Sequence, residues 1–387
     1  QTPWLCAACQ TCNTRCPQGL NINAIMEFLT REALARGIQP EVPEIDIFNK
    51  AFMREVGLWG RSYELGLMAE IKLRTLNITS DLDLGVKMIR KQKLAFLPTP
   101  ARPPRRVKPV PAATRAVAYY PGCSLHSTGS EFNTSTEAVC EALGLDLIEP
   151  RGWVCCGSSA AHRLDPDAAL RLPLTNLALV EQSGFEEVTM PCAACFNRHK
   201  AAQHEIEHDG QRRAQMDAAL GYDYQDTVLV STLIDTLHRH VGVEGVAEKV
   251  TSPPEITRAV HPEHPTNMDE LLDAAGAQVV DWSYKTVCCG AAHSLTRPDI
   301  VLKLSGSIIE HAREVGADAI AVACPLCHTN LDARQFQMKL DEPMPVLYFT
   351  QLLALALGLP EKAVALNKNL GDPRPLLRER GMLTRAT

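Results

Sequence analysis

Twice in this chain an adjacent pair of cysteines followed by glycine is answered further along by Cys-x-x-Cys. The first set is Cys155-Cys156-Gly157 with Cys192 and Cys195, and the second is Cys288-Cys289-Gly290 with Cys324 and Cys327. Side chains of neighbouring residues diverge from the backbone, so two adjacent thiolates do not converge easily on one small tetrahedral ion. Each can hold a different iron of one cluster instead. The repeat therefore reads as two iron-sulfur sites.

The residues around the two sets repeat as well. Ala116 to Tyr120 reads as a strand ending at Gly122-Cys123, 137–143 as a helix, 145–149 as a strand, 166–183 as a helix and 187–190 as a strand ending at Cys192. The second copy runs helix 268–275, strand 278–281, Cys288-Cys289-Gly290, helix 299–315 and strand 319–322, ending at Cys324. A common offset of about 132 residues marks an internal duplication. Strands alternating with helices predict an α/β sheet in each copy, with the cysteines just past strand ends where α/β folds carry their sites.

Ahead of the duplication, Cys6-x-x-Cys9-x-x-Cys12-x-x-x-Cys16-Pro17 precedes helical periodicity over 23–35, 45–56, 62–76 and 82–96. This predicts an all-α, ferredoxin-like N-terminal unit. Six prolines with Arg102, Arg105, Arg106 and Lys108 then fall within 98–111, the signature of an extended linker. Its basic charge reads as a solvated tether, with a docking strip for an acidic partner as the alternative. The expected division is a helical [4Fe-4S] unit over 1–97, a linker over 98–113, and α/β domains over 114–247 and 248–387.

Twelve of the fourteen cysteines fall into these tight groups, which favours metal in a reducing, cytoplasmic setting over disulfides. Of the other two, Cys140 reads as an ordinary buried residue and Cys123 as a fifth thiolate for the first set. A net charge of -6 offers nothing to nucleic acid. The longest apolar runs, such as 352–357, fall far short of a membrane span, and no signal peptide is visible. No glycine-rich dinucleotide fingerprint or phosphate loop occurs, so flavin and nicotinamide are expected on another protein.

The N-terminal loop is the ferredoxin pattern, in which three closely spaced thiolates wrap one cubane and the fourth points away. Either Cys16 folds back to close a single [4Fe-4S], or the natural chain begins further upstream; the second is the expectation. In the α/β copies, Cys123, Cys155, Cys156, Cys192 and Cys195 exceed what a cubane needs and suggest a larger or opened cluster. The second copy offers Cys288, Cys289, Cys324 and Cys327, which could hold a conventional cubane unless a strand and a cysteine are missing from the sequence. Its counterpart of Cys123 is expected near Glu255, where neither a cysteine nor its strand is evident. His162 and His293, matched after the two Cys-Cys-Gly turns, are candidate acids, or hydrogen-bond partners that orient the loops.

The full pattern over Cys123 to Cys195 resembles the cysteine-rich CCG domain in the B-type polypeptide of heterodisulfide reductase, and Trp4 to Gly19 is similar to the second cluster loop of the C-type polypeptide. The resemblance suggests a fused C-B chain. It implies a noncubane [4Fe-4S] cluster on each complete CCG motif, cubane clusters on Cys6, Cys9, Cys12 and Cys16, and a disulfide substrate entering between the two motifs. It also implies a flavin-containing, A-type polypeptide as partner, with hydrogenase or formate dehydrogenase subunits and ferredoxin beyond it. The expected activity is reduction of a disulfide or oxidation of thiols. The alternative is an electron relay without disulfide chemistry, like the similar iron-sulfur subunits of glycerol-3-phosphate, glycolate or lactate dehydrogenases.

Overall fold

The structure, a computed structural model, describes residues 2–104, 107, 109, 115–251, 257–259, 266–338, 340 and 342–383. Four main helices lead: α1 (Ile22–Ala35), α2 (Pro43–Trp59), α3 (Glu64–Thr75) and α4 (Leu82–Arg90). The apolar faces of α2 and α3 meet through Ala51, Phe52, Val56, Leu67 and Ile71, and the same cluster takes in Cys155 and Ala160 of the first repeat. Helix α4 stops six residues before the predicted end at 96. Gln92 takes a left-handed φ of 54°, and the Lys93 amide bonds back to the Met88 carbonyl at 2.9 Å, a helix-ending turn that releases Lys93 sideways.

In the first repeat β1 (Ala116–Tyr119), β2 (Asp146–Ile148), β3 (Glu187–Met190) and β4 (Leu229–Thr232) form one parallel sheet in the order β2-β1-β3-β4. Helices α5 (Ser130–Leu143), α6 (Pro166–Gln182) and α7 (Ala193–His208) make the crossovers that parallel strands require. In the second, β5 (Thr257–Ala259) pairs parallel with β6 (Gln278–Val280), and β7 (Ile320–Val322) with β8 (Val346–Tyr348). The two pairs remain separate two-stranded sheets, with β5 lying beside β7 where β1 pairs with β3 in the first repeat. Helices α8 (Asn267–Ala274), α9 (Pro298–Glu314), α10 (Pro325–Ala333) and α11 (Phe349–Ala356) complete this half. The apolar run at 352–357 is thus a buried helix and its end: α11 packs on α5, with the Phe132 ring stacked on Tyr348 at 4.2 Å. One core therefore serves both repeats.

The strand thought missing before residue 262 is present as β5. Three residues with Arg258 at the centre carry too little apolar pattern to stand out in the sequence. Thr257 pairs with Gln278 as Ala116 pairs with Asp146. Counting seven residues on from each, the counterpart of Cys123 is His264, not a residue near Glu255; both positions lie outside the described residues.

Gly60 shows how the helical unit is joined on. It sits at φ +75°, and a side chain there would lie 2.1 Å from the Ala101 carbonyl oxygen. Its own carbonyl accepts the Cys155 amide at 2.8 Å. Nearby, Glu55 is buried on α2, and its Oε2 accepts the Tyr63 amide at 2.9 Å. Burial pushes this carboxyl up to about 7. The fold therefore binds a proton that the unfolded chain gives up, and stability falls as pH rises from about 4.5 to about 7. Thermal melts between pH 5 and 8 should show that decline, with Glu55 contributing on the order of 2 kcal/mol, and Glu55→Gln should lessen it by that share.

Candidate iron-sulfur site

Each cysteine is placed by the end of an element. Cys123 opens a short turn of helix past β1, Cys192 follows β3, and Cys195 sits in the first turn of α7. Cys324 follows β7, and Cys327 lies one turn into α10. Gly122 has φ +71°, and a side chain on it would lie 3.0 Å from Cys195 Sγ, so glycine is required on both counts. Gly157 takes φ +81° and Gly290 φ +79°, the left-handed conformation that turns each Cys-Cys pair back toward its sheet.

The thiols meet in pairs. Cys156 Sγ lies 3.5 Å from Cys195 Sγ, and Cys289 Sγ 3.4 Å from Cys327 Sγ. The Cys123 thiol lies close to Cys155, and its sulfur accepts the Ser62 amide from the helical unit at 3.4 Å. Between the repeats, Cys192 and Cys324 lie close enough for each thiol to shift the other. Cys9 of the N-terminal loop meets Cys288 in the same way. The nine cysteines of the two sets and Cys9 line a single cavity of about 890 Å³. Cys6, Cys12 and Cys16 stand apart from that wall, Cys6 directed at Asn23 and Cys12 at Asn13. Cys140 is buried in α5, where burial pushes its thiol up to about 12.

Of the two histidine candidates, His162 lines the cavity, with Nδ1 2.8 Å from Glu27 Oε1. Burial pushes it below its ordinary value against the opposing pull of Glu27. His293 does not line the cavity; its Nε2 lies 2.9 Å from the Leu5 carbonyl oxygen, tying the second Cys-Cys-Gly turn to the N-terminal loop. A carbonyl only accepts, so that nitrogen carries the proton.

Two asparagines escaped sequence reasoning. Asn176 on α6 accepts the Val154 amide at 2.8 Å, donates to the Val154 carbonyl at 2.9 Å, and lies 3.2 Å from His199 Nε2. His199 Nδ1 is 2.7 Å from the Cys195 carbonyl, so this chain links the Cys-Cys loop to the Cys-x-x-Cys helix. Asn330 on α10 does the equivalent work by donating to the Cys289 carbonyl at 3.2 Å. Neither lies in a motif; only its position near a cysteine-bearing element signals it. Glu64 was missed as well. It lines the cavity and accepts from the Ser127 hydroxyl at 2.8 Å, and burial pushes its carboxyl up to about 7.

Among the described residues no three ligating side chains converge on one metal-ion position, but nine thiols lining one cavity are the donor type that thiophilic iron-sulfur clusters use. The family described as the CCG cysteine-rich domain matches residues 117–198 and 254–332. The membrane anchor subunit of 8-methylmenaquinol:fumarate reductase from Wolinella succinogenes is 32% identical over 281 residues, 67% of this chain and 98% of that protein. The chain belongs to the CCG family. Within it, the B-type polypeptide of a ferredoxin/F(420)H(2)-dependent CoB-CoM heterodisulfide reductase from Methanosarcina acetivorans is 27% identical, over 65% of this chain and 93% of its own. The D-type polypeptide of the dihydromethanophenazine:CoB-CoM heterodisulfide reductase from Methanosarcina barkeri is 24% identical, and that match takes in 92% of this chain and 78% of the relative. A crystal structure of a hypothetical protein from Helicobacter pylori shares the fold at a TM-score of 0.60 and 13% identity, over 79% of this chain and 61% of that one. This CCG protein is thus an iron-sulfur subunit related to the B and D polypeptides of heterodisulfide reductase and to the fumarate reductase anchor. Among the described residues no helix is long and apolar enough to cross a membrane.

Proposed function

We propose that this CCG protein is the iron-sulfur subunit of a heterodisulfide reductase-like complex, reducing a disulfide or oxidising thiols in the cavity between its two cysteine sets. The shared wall carries the reading, because all nine cysteines of the two sets line one chamber. Cys123, Cys155, Cys156, Cys192 and Cys195 would hold one noncubane cluster, and Cys288, Cys289, Cys324 and Cys327, four thiolates that also suffice for a cubane, the other. Cys6, Cys9, Cys12 and Cys16 would hold cubane iron that receives electrons from a flavin-containing protein. Bound clusters supply one-electron redox steps, so two facing sites suit a two-electron bond.

The balance is one disulfide, two electrons and two protons giving two thiols. Protons fall to groups on the wall: Glu64, whose neutral form burial favours, and His162. Leu67, Met68 and Leu84 line the cavity and exclude water. In dithionite-reduced protein, a disulfide substrate should release two thiols as the visible absorption of the clusters returns. A panel of disulfides that releases none, while a flavoprotein still reoxidises the clusters, overturns this reading. It would leave the relay, which the 32% identity to a fumarate reductase polypeptide favours.

A further inference from the structure

Beyond the cysteines, the cavity opens through α4 and the segment before it. Ile78, Leu82, Val86 and Ile89 line the cavity and are also exposed on the outside of the molecule. Leu84 and Met88 of the same helix turn inward to meet Leu94 and Ala333. Helix α4 is therefore apolar on two faces, and only one of them is covered. The outer face continues past the mouth through Leu73, 64% exposed, and Leu76, 85% exposed, neither of which lines the cavity. Single exposed leucines are ordinary; a contiguous run around a cavity mouth marks an interaction surface.

The charge around this surface says what covers it. The chain carries a net charge of -6, yet residues 73–91 hold four Lys and Arg against two Asp. Lys87 and Arg90 are exposed beside Val86 and Ile89, and Arg74 beside Leu73. A short amphipathic helix with leucine and isoleucine outward and Lys/Arg alongside is the composition of an element that lies in a bilayer surface, where anionic lipid attracts each basic residue.

We propose that the face formed by residues 73–91 docks on an anionic lipid bilayer, which brings the mouth of the cysteine cavity to the membrane surface. An apolar electron carrier dissolved in the bilayer then reaches the cavity without crossing water. That consequence rests on the cavity being the substrate chamber; the docking itself does not.

The test is flotation of the full chain, clusters intact, with vesicles of phosphatidylcholine alone or with added phosphatidylglycerol. The protein should float with the anionic vesicles and remain at the bottom with the neutral ones. Leu73→Glu/Leu76→Glu should cut the floating fraction at least tenfold at unchanged iron content. Lys87→Glu/Arg90→Glu should abolish the preference for anionic lipid, as should high salt. Wild-type protein that stays at the bottom with both vesicles overturns the proposal, and so does flotation that Leu73→Glu/Leu76→Glu leaves intact. If a purified flavoprotein is captured instead, and those glutamates abolish capture without any flotation, the face is a protein interface and the proposal fails. Flotation needs no disulfide, so its outcome is separate from that of the thiol-release assay.

Discussion

Lys93→Met is expected to destabilise the protein by about 3–5 kcal/mol, the range for leaving one partner of a buried ion pair uncompensated. The Lys93 side chain is 2% exposed and Glu131 fully buried, and the two are ion-paired. Lys93 leaves the end of α4, while Glu131 lies in the first turn of α5, so the pair fastens the helical unit to the core of the repeats. Glu131 Oε2 has no hydrogen-bond partner, so removing the ammonium leaves a buried carboxylate whose other titratable neighbour is His328, with Nδ1 3.7 Å from Oε1 and held neutral by burial. Asp332, pushed up to about 6 by burial, also relies on Lys93 for part of its compensation. Urea unfolding of the cluster-loaded protein measures the loss. The double variant Lys93→Met/Glu131→Leu should recover most of it, since an apolar pair of similar volume avoids desolvating two ions. A loss below about 1 kcal/mol for Lys93→Met would falsify the assignment, because such values belong to solvated surface pairs.

Cys156→Ser should remove about four irons per chain and lower any disulfide turnover by roughly a hundredfold or more. Cys289→Ser should do the same for the second set. Both thiols are buried and directed at the Cys-x-x-Cys of their own repeat, so a hydroxyl there meets a thiophilic site with a hard donor. Cys140→Ser is the control. Its thiol lies within the α5 core, distant in role from the cavity, and iron content should stay constant. Iron and acid-labile sulfide assays on purified variants measure these changes. Equal iron in Cys156→Ser and wild type would mean that the adjacent pair is structural.

Much of the fold was legible because short-range rules fix it. Strands β1, β2, β3, β6 and β7 fall within a residue of the expected runs, and α6 and α9 lie within one residue of their predicted ends. These segments carry strong apolar periodicity bounded by Gly, Pro or Asp. Helix α5 begins at Ser130 rather than 137, because its first turns bury polar Glu131 and Ser135, which a hydrophobicity pattern reads as loop. Strands β4 and β8 passed unnoticed: each runs directly into a helix without a breaking residue, so no turn marks the boundary.

The sequence by itself determined the duplication and the thiol sets, since cysteine spacing relative to strand ends is a local property that chain direction preserves. Tertiary structure alone decided that both sets and Cys9 open into one cavity, that His162 faces it while His293 ties down a loop, and that α4 keeps an uncovered apolar face. Those relations join residues more than a hundred positions apart. No periodicity encodes them, because they depend on how the packed faces of α5 and α11 set one repeat against the other.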